Sequence, residues 1–140
     1  MEIKTALTEE DILKCWDALK ALRPHLDKDT IVARIMKMMS EGYKLLFIEE
    51  SGKAMSIAGY RYLNTLFNGL HYYIDDLSTL EEARGKGYGG MLLDHITELA
   101  SKNGFACVTL NSGYTRHTAH RLYLNNGFVL ASHHFEKRLL

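Results

Sequence analysis

Arg84-Gly85-Lys86-Gly87-Tyr88-Gly89-Gly90 is the stretch on which the reading of this chain turns. Apolar, strand-like residues precede it (Tyr72, Tyr73, Ile74 and Leu77). An amphipathic, helix-like run follows it, through Met91, Leu92, Leu93, Ile96, Leu99 and Ala100. Glycines let a backbone turn tightly and approach a ligand with no Cβ in the way. The first turn of a helix presents unpaired N–H groups and the positive end of the helix dipole. Arg84 and Lys86 add two cations to the same turn. Strand, glycine loop and helix together predict a seat for a phosphate or pyrophosphate. The plain alternative is a glycine-rich turn that binds nothing.

The spacing narrows the ligand. Gly85, Gly87 and Gly90 spell G-x-G-x-x-G, but the dinucleotide pattern also needs an acid about 20 residues on, at the end of the next strand. That strand ends near Leu110 and Asn111, with no acid there. A Walker loop needs G-x-x-x-x-G-K followed by Ser or Thr, and neither the spacing nor the ending is present. Arg84, Gly87 and Gly89 do fit a third pattern, R-x-x-G-x-G.

The bulk numbers bound the rest. A chain of 140 residues suits one domain with a real core. Lysines plus arginines and aspartates plus glutamates number 17 each, so the formal charge is zero, whereas a nucleic-acid binder would carry a basic excess. No run of apolar residues is long enough for a membrane span, and Met-Glu-Ile-Lys-Thr at the N-terminus does not resemble a signal peptide. Cys15 and Cys107 read as reduced core thiols of a cytoplasmic protein rather than as a disulfide.

Along the chain, Glu2 to Leu7 predicts a short strand. Thr8 with Asp11 opens a helix that carries Ile12, Leu13, Trp16, Leu19 and Leu22 and stops at Pro24. Asp29 or Thr30 would cap a second helix with Ile31, Val32, Ile35, Met36 and Met39 inward, closed at Gly42. Strands over Tyr43–Glu50 and Ala54–Tyr62 flank a Ser51-Gly52 turn, and Asn68-Gly69 leads into a longer strand, Leu70–Thr79. After the glycine loop come a helix to about Lys102, a strand over Ala106–Asn111 and a helix over Arg116–Asn125. One or two strands are expected in Phe128–Leu140. The order β-α-α-β-β-β-α-β-α-β-β describes an α/β fold with a mixed sheet.

This order and the R-x-x-G-x-G loop resemble the GNAT superfamily of N-acetyltransferases over nearly the whole chain. Ala119, Tyr123, Gly127 and Phe128 keep the A-x-x-x-Y-x-x-x-G-F spacing of that superfamily's second motif. Further pieces resemble one of its branches: Leu22-Arg23-Pro24-His25-Leu26, Ala58-Gly59-Tyr60-Arg61, Asp75-Asp76-Leu77 and Asn111-Ser112-Gly113. Many members carry Asn three residues before the motif alanine, where this chain has Arg116.

The resemblance implies a single GNAT domain over 1–140, with a mostly antiparallel sheet flanked by helices on both faces. It implies direct acetyl transfer from acetyl-CoA to an amine, with no acyl-enzyme. Arg84, Gly85, Lys86, Gly87, Tyr88, Gly89 and Gly90 would hold the pyrophosphate. Main-chain groups of Leu77, Ser78 and Thr79 would pair with the pantetheine as a pseudo-strand, so their side chains should tolerate substitution unless it is bulky. Asn111 and Arg116 would add CoA contacts. Tyr123 would protonate the departing thiolate; the bland reading makes it a core aromatic beside Ala119 and Leu122.

The amine must also lose a proton. Freeing the lone pair of an alkyl ammonium at neutral pH costs roughly 4–5 kcal/mol. Asp75 and Asp76 interrupt an otherwise apolar strand, and related polyamine acetyltransferases carry an acidic pair at a similar place. Alternation lets only one of the two line a site unless a bulge intervenes. Asp76 is the first choice of base, Asp75 the second and His71 the third. The competing reading is a structural salt bridge, with Arg61 the candidate partner. Arg23 and His25, in the connection between the first two helices, would wall the acceptor site and suit an acceptor that bears a carboxylate; otherwise Arg23 caps its helix. His117 and His120, and the adjacent His133 and His134, lack the neighbours of a zinc motif, so no metal is expected.

The expected activity is therefore acetylation of a small-molecule primary amine, such as a polyamine or an amino acid, in the cytoplasm. Neither nucleic acid nor membrane is an expected partner. A homodimer through the final segment is compatible with the sequence. The alternatives are a non-catalytic acyl-CoA sensor and an acetyltransferase of a protein or peptide amine.

Overall fold

Turn chemistry and strand alternation organise Met1–Leu110 around one sheet. In the computed structural model, which describes residues 1–140, five strands lie in the order β1-β2-β3-β4-β5. They are β1 Lys4–Thr5, β2 Lys44–Glu50, β3 Lys53–Thr65, β4 Gly69–Thr79 and β5 Val108–Leu110. All neighbours are antiparallel except β4 and β5, which run parallel through the crossover helix between them. The helices are α1 Glu9–Lys14, α2 Trp16–Leu22, α3 Lys28–Ser40, α4 Tyr88–Lys102 and α5 His117–Asn125. None is long and apolar enough to cross a membrane.

Leu45, Leu46, Phe47 and Ile48 of β2 are all buried, which requires cover on both faces of that strand. Helix α2 lies on one face of the sheet, where the buried Ser78 hydroxyl donates to the Ala18 carbonyl (2.9 Å). Helix α4 covers the other, and just beyond its end the Asn103 amide donates to the Tyr72 hydroxyl (2.9 Å). Leu92, Leu93 and Ile96 of α4 are wholly buried. Each contributes about 1.5–3 kcal/mol by leaving water.

Several local expectations shift. The helix predicted from Thr8 to Leu22 is two helices. Thr8 does open it with a reciprocal capping box to Asp11. At Cys15, however, the chain tightens: its N–H reaches the Ile12 carbonyl (3.0 Å), three residues back, and the axis breaks there. Cys15 is fully buried, and burial pushes its thiol up to about 12. Cys107 is also reduced but only half-buried. Asp27, not Asp29 or Thr30, caps α3, because its carboxylate accepts the Asp29 N–H (2.9 Å). Ile31 and Ile35 face inward as expected, whereas Met36 is exposed. A 3₁₀ turn, Glu81–Ala83, precedes the glycine loop.

Asn111–Leu140 forms a second compact unit whose one regular element is α5. Its end is closed by the Phe128 N–H on the Tyr123 carbonyl (3.0 Å). The rings of Tyr123 and Phe128 lie 6.0 Å apart. The strands expected in Phe128–Leu140 are not formed. Strand-like composition makes a strand only where the backbone finds a partner, and this unit contains no other strand.

Candidate active site

The site is built on β4, and a bulge decides its shape. Ile74 pairs with Tyr60 and Asp76 with Gly59, so Asp75 is an extra residue with no partner on β3. An extra residue resets the alternation of a strand. Asp75 and Asp76 consequently both turn to the face that carries Gly59 and Arg61. The bulge condition set by the sequence is met.

Each carboxylate is wired to its own arginine. Asp75 takes Arg61 side-on, with Nε at 3.0 and 3.1 Å and Nη2 at 2.7 Å. Asp76 Oδ1 accepts from Arg23 Nε (3.2 Å) and Nη2 (3.1 Å), and Oδ2 accepts from the Tyr43 hydroxyl (2.8 Å). Arg23 Nη2 also donates to the Asp75 main-chain carbonyl (3.0 Å), a group exposed by the bulge. Arg23 follows α2 directly, so this clip holds the α2–α3 connection to β4. Burial holds the Asp75 carboxyl above its ordinary value and outweighs the opposing pull of Arg61. Burial, then the Asp76 charge, pushes the Tyr43 phenol far up.

Sequence reasoning gave neither Tyr43 nor Gly59 a role in the site. A Cβ on Gly59 would sit 1.8 Å from the Tyr43 hydroxyl oxygen and 2.4 Å from its Cζ. The phenol crosses β3 where no side chain exists and so reaches Asp76. The Arg61 guanidinium lies 5.3 Å from the centre of the same ring. The available signal was a glycine inside a strand, which marks a bulge or a close approach.

The structure brings Arg23, Asp75 and Asp76 together and leaves two candidates apart. His71 shares the face of Asp75 by alternation but lies four residues back, roughly 13 Å along the strand. It is buried, with Nδ1 at 2.9 Å from the Gly69 carbonyl. A carbonyl only accepts, so Nδ1 carries the proton, and a neutral ring keeps its lone pair on Nε2. His25 is exposed in the connection beyond Arg23.

Beyond the bulge, β4 has an open edge. β5 pairs with it only at Tyr72, Tyr73 and Ile74. From Asp75 to Thr79 the side away from β3 has no strand partner in this unit. The side chains there are not idle. Ser78 ties the strand to α2, and the Thr79 hydroxyl bonds that of Ser56 (2.8 Å). The Ser78 side chain thus has a structural contact of its own, beyond the main-chain role expected of it.

The edge runs into the glycine loop. Gly85 and Gly87 take left-handed φ of 86° and 81° with open space where a Cβ would project, so the turn, not crowding, calls for glycine. Gly87 caps α4 without a side-chain hydrogen bond. The first N–H groups of α4 are thus left for a ligand. Lys86 is held by Glu50 at the end of β2, with Nζ 3.1 and 3.2 Å from its two oxygens. The Tyr88 hydroxyl donates to Glu50 as well. Tyr88 first, then Lys86, holds the Glu50 carboxyl below its ordinary value. In the second unit, Arg116 caps α5, and its carbonyl accepts the His120 N–H (3.0 Å).

Comparison with known proteins bears on the family and the fold. The model of the acetyltransferase (GNAT) family matches residues 9–128. An uncharacterized N-acetyltransferase of Bacillus subtilis, YhdJ, is 32% identical over 139 residues, covering 98% of each chain. A putative acetyltransferase from Agrobacterium tumefaciens superposes with a TM-score of 0.86 at 24% identity, over 99% of this chain and 100% of that one. The aminoglycoside N-acetyltransferase AAC(6')-Iy, solved in complex with CoA, does so with a TM-score of 0.84 at 12% identity, over 99% and 93%. The chain belongs to the GNAT family and is an acetyl-CoA-dependent N-acyltransferase.

Proposed function

We propose that the protein transfers the acetyl group of acetyl-CoA directly to the primary amine of a small molecule, as one domain spanning 1–140. One observation carries this reading: the open edge of β4 beyond Ile74 leads, across a single 3₁₀ turn, to a loop and a helix start that no side chain caps. A pantetheine arm needs the first and a pyrophosphate the second.

In this reading the main chain of Leu77, Ser78 and Thr79 pairs with the pantetheine. Arg84 and the loop Gly85–Gly90 seat the pyrophosphate, and Asn111 and Arg116 contact the rest of CoA. The thioester carbonyl then falls near the bulge. The amine nitrogen bonds to that carbonyl carbon, the C–S bond breaks, and no acyl-enzyme forms. Asp76 is the base nearest that point. Its Oδ2 holds one hydrogen bond from Tyr43 and keeps a further acceptor position for the amine's proton. Asp75 supports it electrostatically, and His71 is the alternative base, acting through water. Tyr123, in the second unit, returns a proton to the thiolate. A phenol near pKa 10 can do so to a thiol near 8.5 at a cost of only a few kcal/mol.

Thiol release measured against a panel of amines tests the activity, with calorimetric acetyl-CoA titration on the same sample. Tyr123→Phe should lower kcat by about 10²–10⁴-fold while acetyl-CoA affinity stays within a few-fold. Unchanged turnover would remove Tyr123 from the reaction. Binding without turnover on any amine would favour a non-catalytic acyl-CoA module.

A further inference from the structure

The bulge cluster holds two arginines and two aspartates, Arg23, Arg61, Asp75 and Asp76, and so has no formal net charge. Its hydrogen bonding is lopsided. Asp75 already accepts on both oxygens, and so does Asp76. A carboxylate offers about four acceptor positions, so little capacity is left on either. A guanidinium offers five donors. Arg23 and Arg61 spend only Nε and Nη2, and Nη1 of each makes no hydrogen bond. Both arginines reach the surface, with side chains 43% and 27% exposed. What the cluster lacks is acceptors.

That deficit separates the candidate acceptors. A polyamine brings a second cation and only donors. It would meet a cluster with no net negative charge and with its carboxylate oxygens largely occupied. A molecule with a carboxylate beside its amine brings what is missing. Its carboxylate can take the Nη1 donors of Arg61 and Arg23 as charge-assisted bonds. Its amine is then directed at the remaining position on Asp76. Its zwitterionic head also matches the zero charge of the cluster.

Building on the transferase reading above, we infer that the acceptor is an amino acid or a molecule with the same amine-plus-carboxylate head, gripped by Arg61 and Arg23, and not a polyamine. Asp75 and Tyr43 serve as positioning residues. Asp75 fixes the Arg61 guanidinium, and Tyr43 fixes Asp76.

The test is binding, so it stands apart from turnover. Protein saturated with CoA is titrated by calorimetry with free L-amino acids, the matching amino-acid amides, and diamines of three to five carbons. The expected result is at least one amino acid bound about tenfold or more tighter than its amide, as loss of charge-assisted bonds predicts, with diamines weakest. Arg61→Gln should erase the preference. Because it also leaves the half-buried Asp75 unpaired, the charge-matched pair Arg61→Gln with Asp75→Asn is measured beside it and should bind amino acid and amide alike. Amide or diamine binding as tight as the amino acid would overturn the inference, as would no binding by any of the three classes, or a preference that survives in the charge-matched pair. An amino-acid preference without acetyl transfer would leave the inference standing and sink the transferase mechanism instead.

Discussion

The glycine loop and the acidic bulge lie eight residues apart on the same chain, yet they are made of different things. The loop works through main-chain N–H groups set by two left-handed glycines and the start of α4. Its lysine is tied away to Glu50. The bulge works through side chains drawn from four separate segments: Arg23 after α2, Tyr43 before β2, Arg61 on β3 and the aspartates on β4. A backbone site asks for conformational freedom at fixed positions. A side-chain site asks for the whole sheet to be in register.

The contrast is sharpest for a Cβ placed in the loop. Gly89 is buried in the first turn of α4. Gly89→Val should weaken acetyl-CoA binding by about a hundredfold or more, on the order of 3 kcal/mol, while the far-ultraviolet circular dichroism stays unchanged. Lys86→Ala should cost less than about tenfold, since an exposed cation already paired to Glu50 has little left to give. A calorimetric titration reads both. If the lysine substitution proved the more damaging, the seat would be made of charge rather than backbone.

The bulge should fail differently, through packing. Gly59→Ala puts a methyl group into the space of the Tyr43 ring, which is 2% exposed and tied to Asp76. Overpacking of this kind costs about 1–3 kcal/mol. The loss should appear in chemical denaturation, with turnover falling and acetyl-CoA affinity kept. Tyr43→Ala alone should cost more, about 3–5 kcal/mol, through the cavity it leaves, and adding Gly59→Ala to it should cost little further, because the clash partner is gone. Full tolerance of Gly59→Ala would mean that the phenol does not need the notch.

The same division explains what could be read in advance. The loop, the hairpins and the element order are local patterns, so spacing placed them, and their resemblance to the GNAT superfamily supplied the fold. The acid pair was visible, and the Arg61 partner was named as the structural alternative for it. Which way both carboxylates face depends on a pairing offset between Gly59 and Tyr60, and no residue in β4 announces it. Tyr43 stands 33 residues from Asp76 and reads as the start of an ordinary apolar strand. The break at Cys15 escaped because its helical spacing continues straight through it. The strands expected in Phe128–Leu140 failed for the opposite reason: composition proposes a strand, and only a pairing partner makes one.

The finest distinction between the two regions is the sign of their acid titrations. At the loop, the Tyr88 hydroxyl and then Lys86 stabilise the Glu50 carboxylate, so it holds its proton less tightly than the ordinary value of 4.5. A group depressed by folding adds stability that is complete above 4.5 and fades as the pH falls through its lower folded value. At the bulge, burial outweighs Arg61 and the Asp75 carboxyl lies above 3.8. Here the folded chain holds the proton more tightly than the unfolded one. Ionisation of Asp75 therefore costs stability above its raised value, and acidification from there towards 3.8 relieves the cost. Site-resolved carbon-13 titration of the two carboxyls should move Glu50 and Asp75 in opposite directions from their ordinary values. Arg61→Lys, which loses the side-on fork, should move Asp75 further up and leave Glu50 where it was. Two shifts of the same sign would mean that Arg61 outweighs burial at Asp75. Its pairing with Arg61 would then favour folding, as the contact at the loop does.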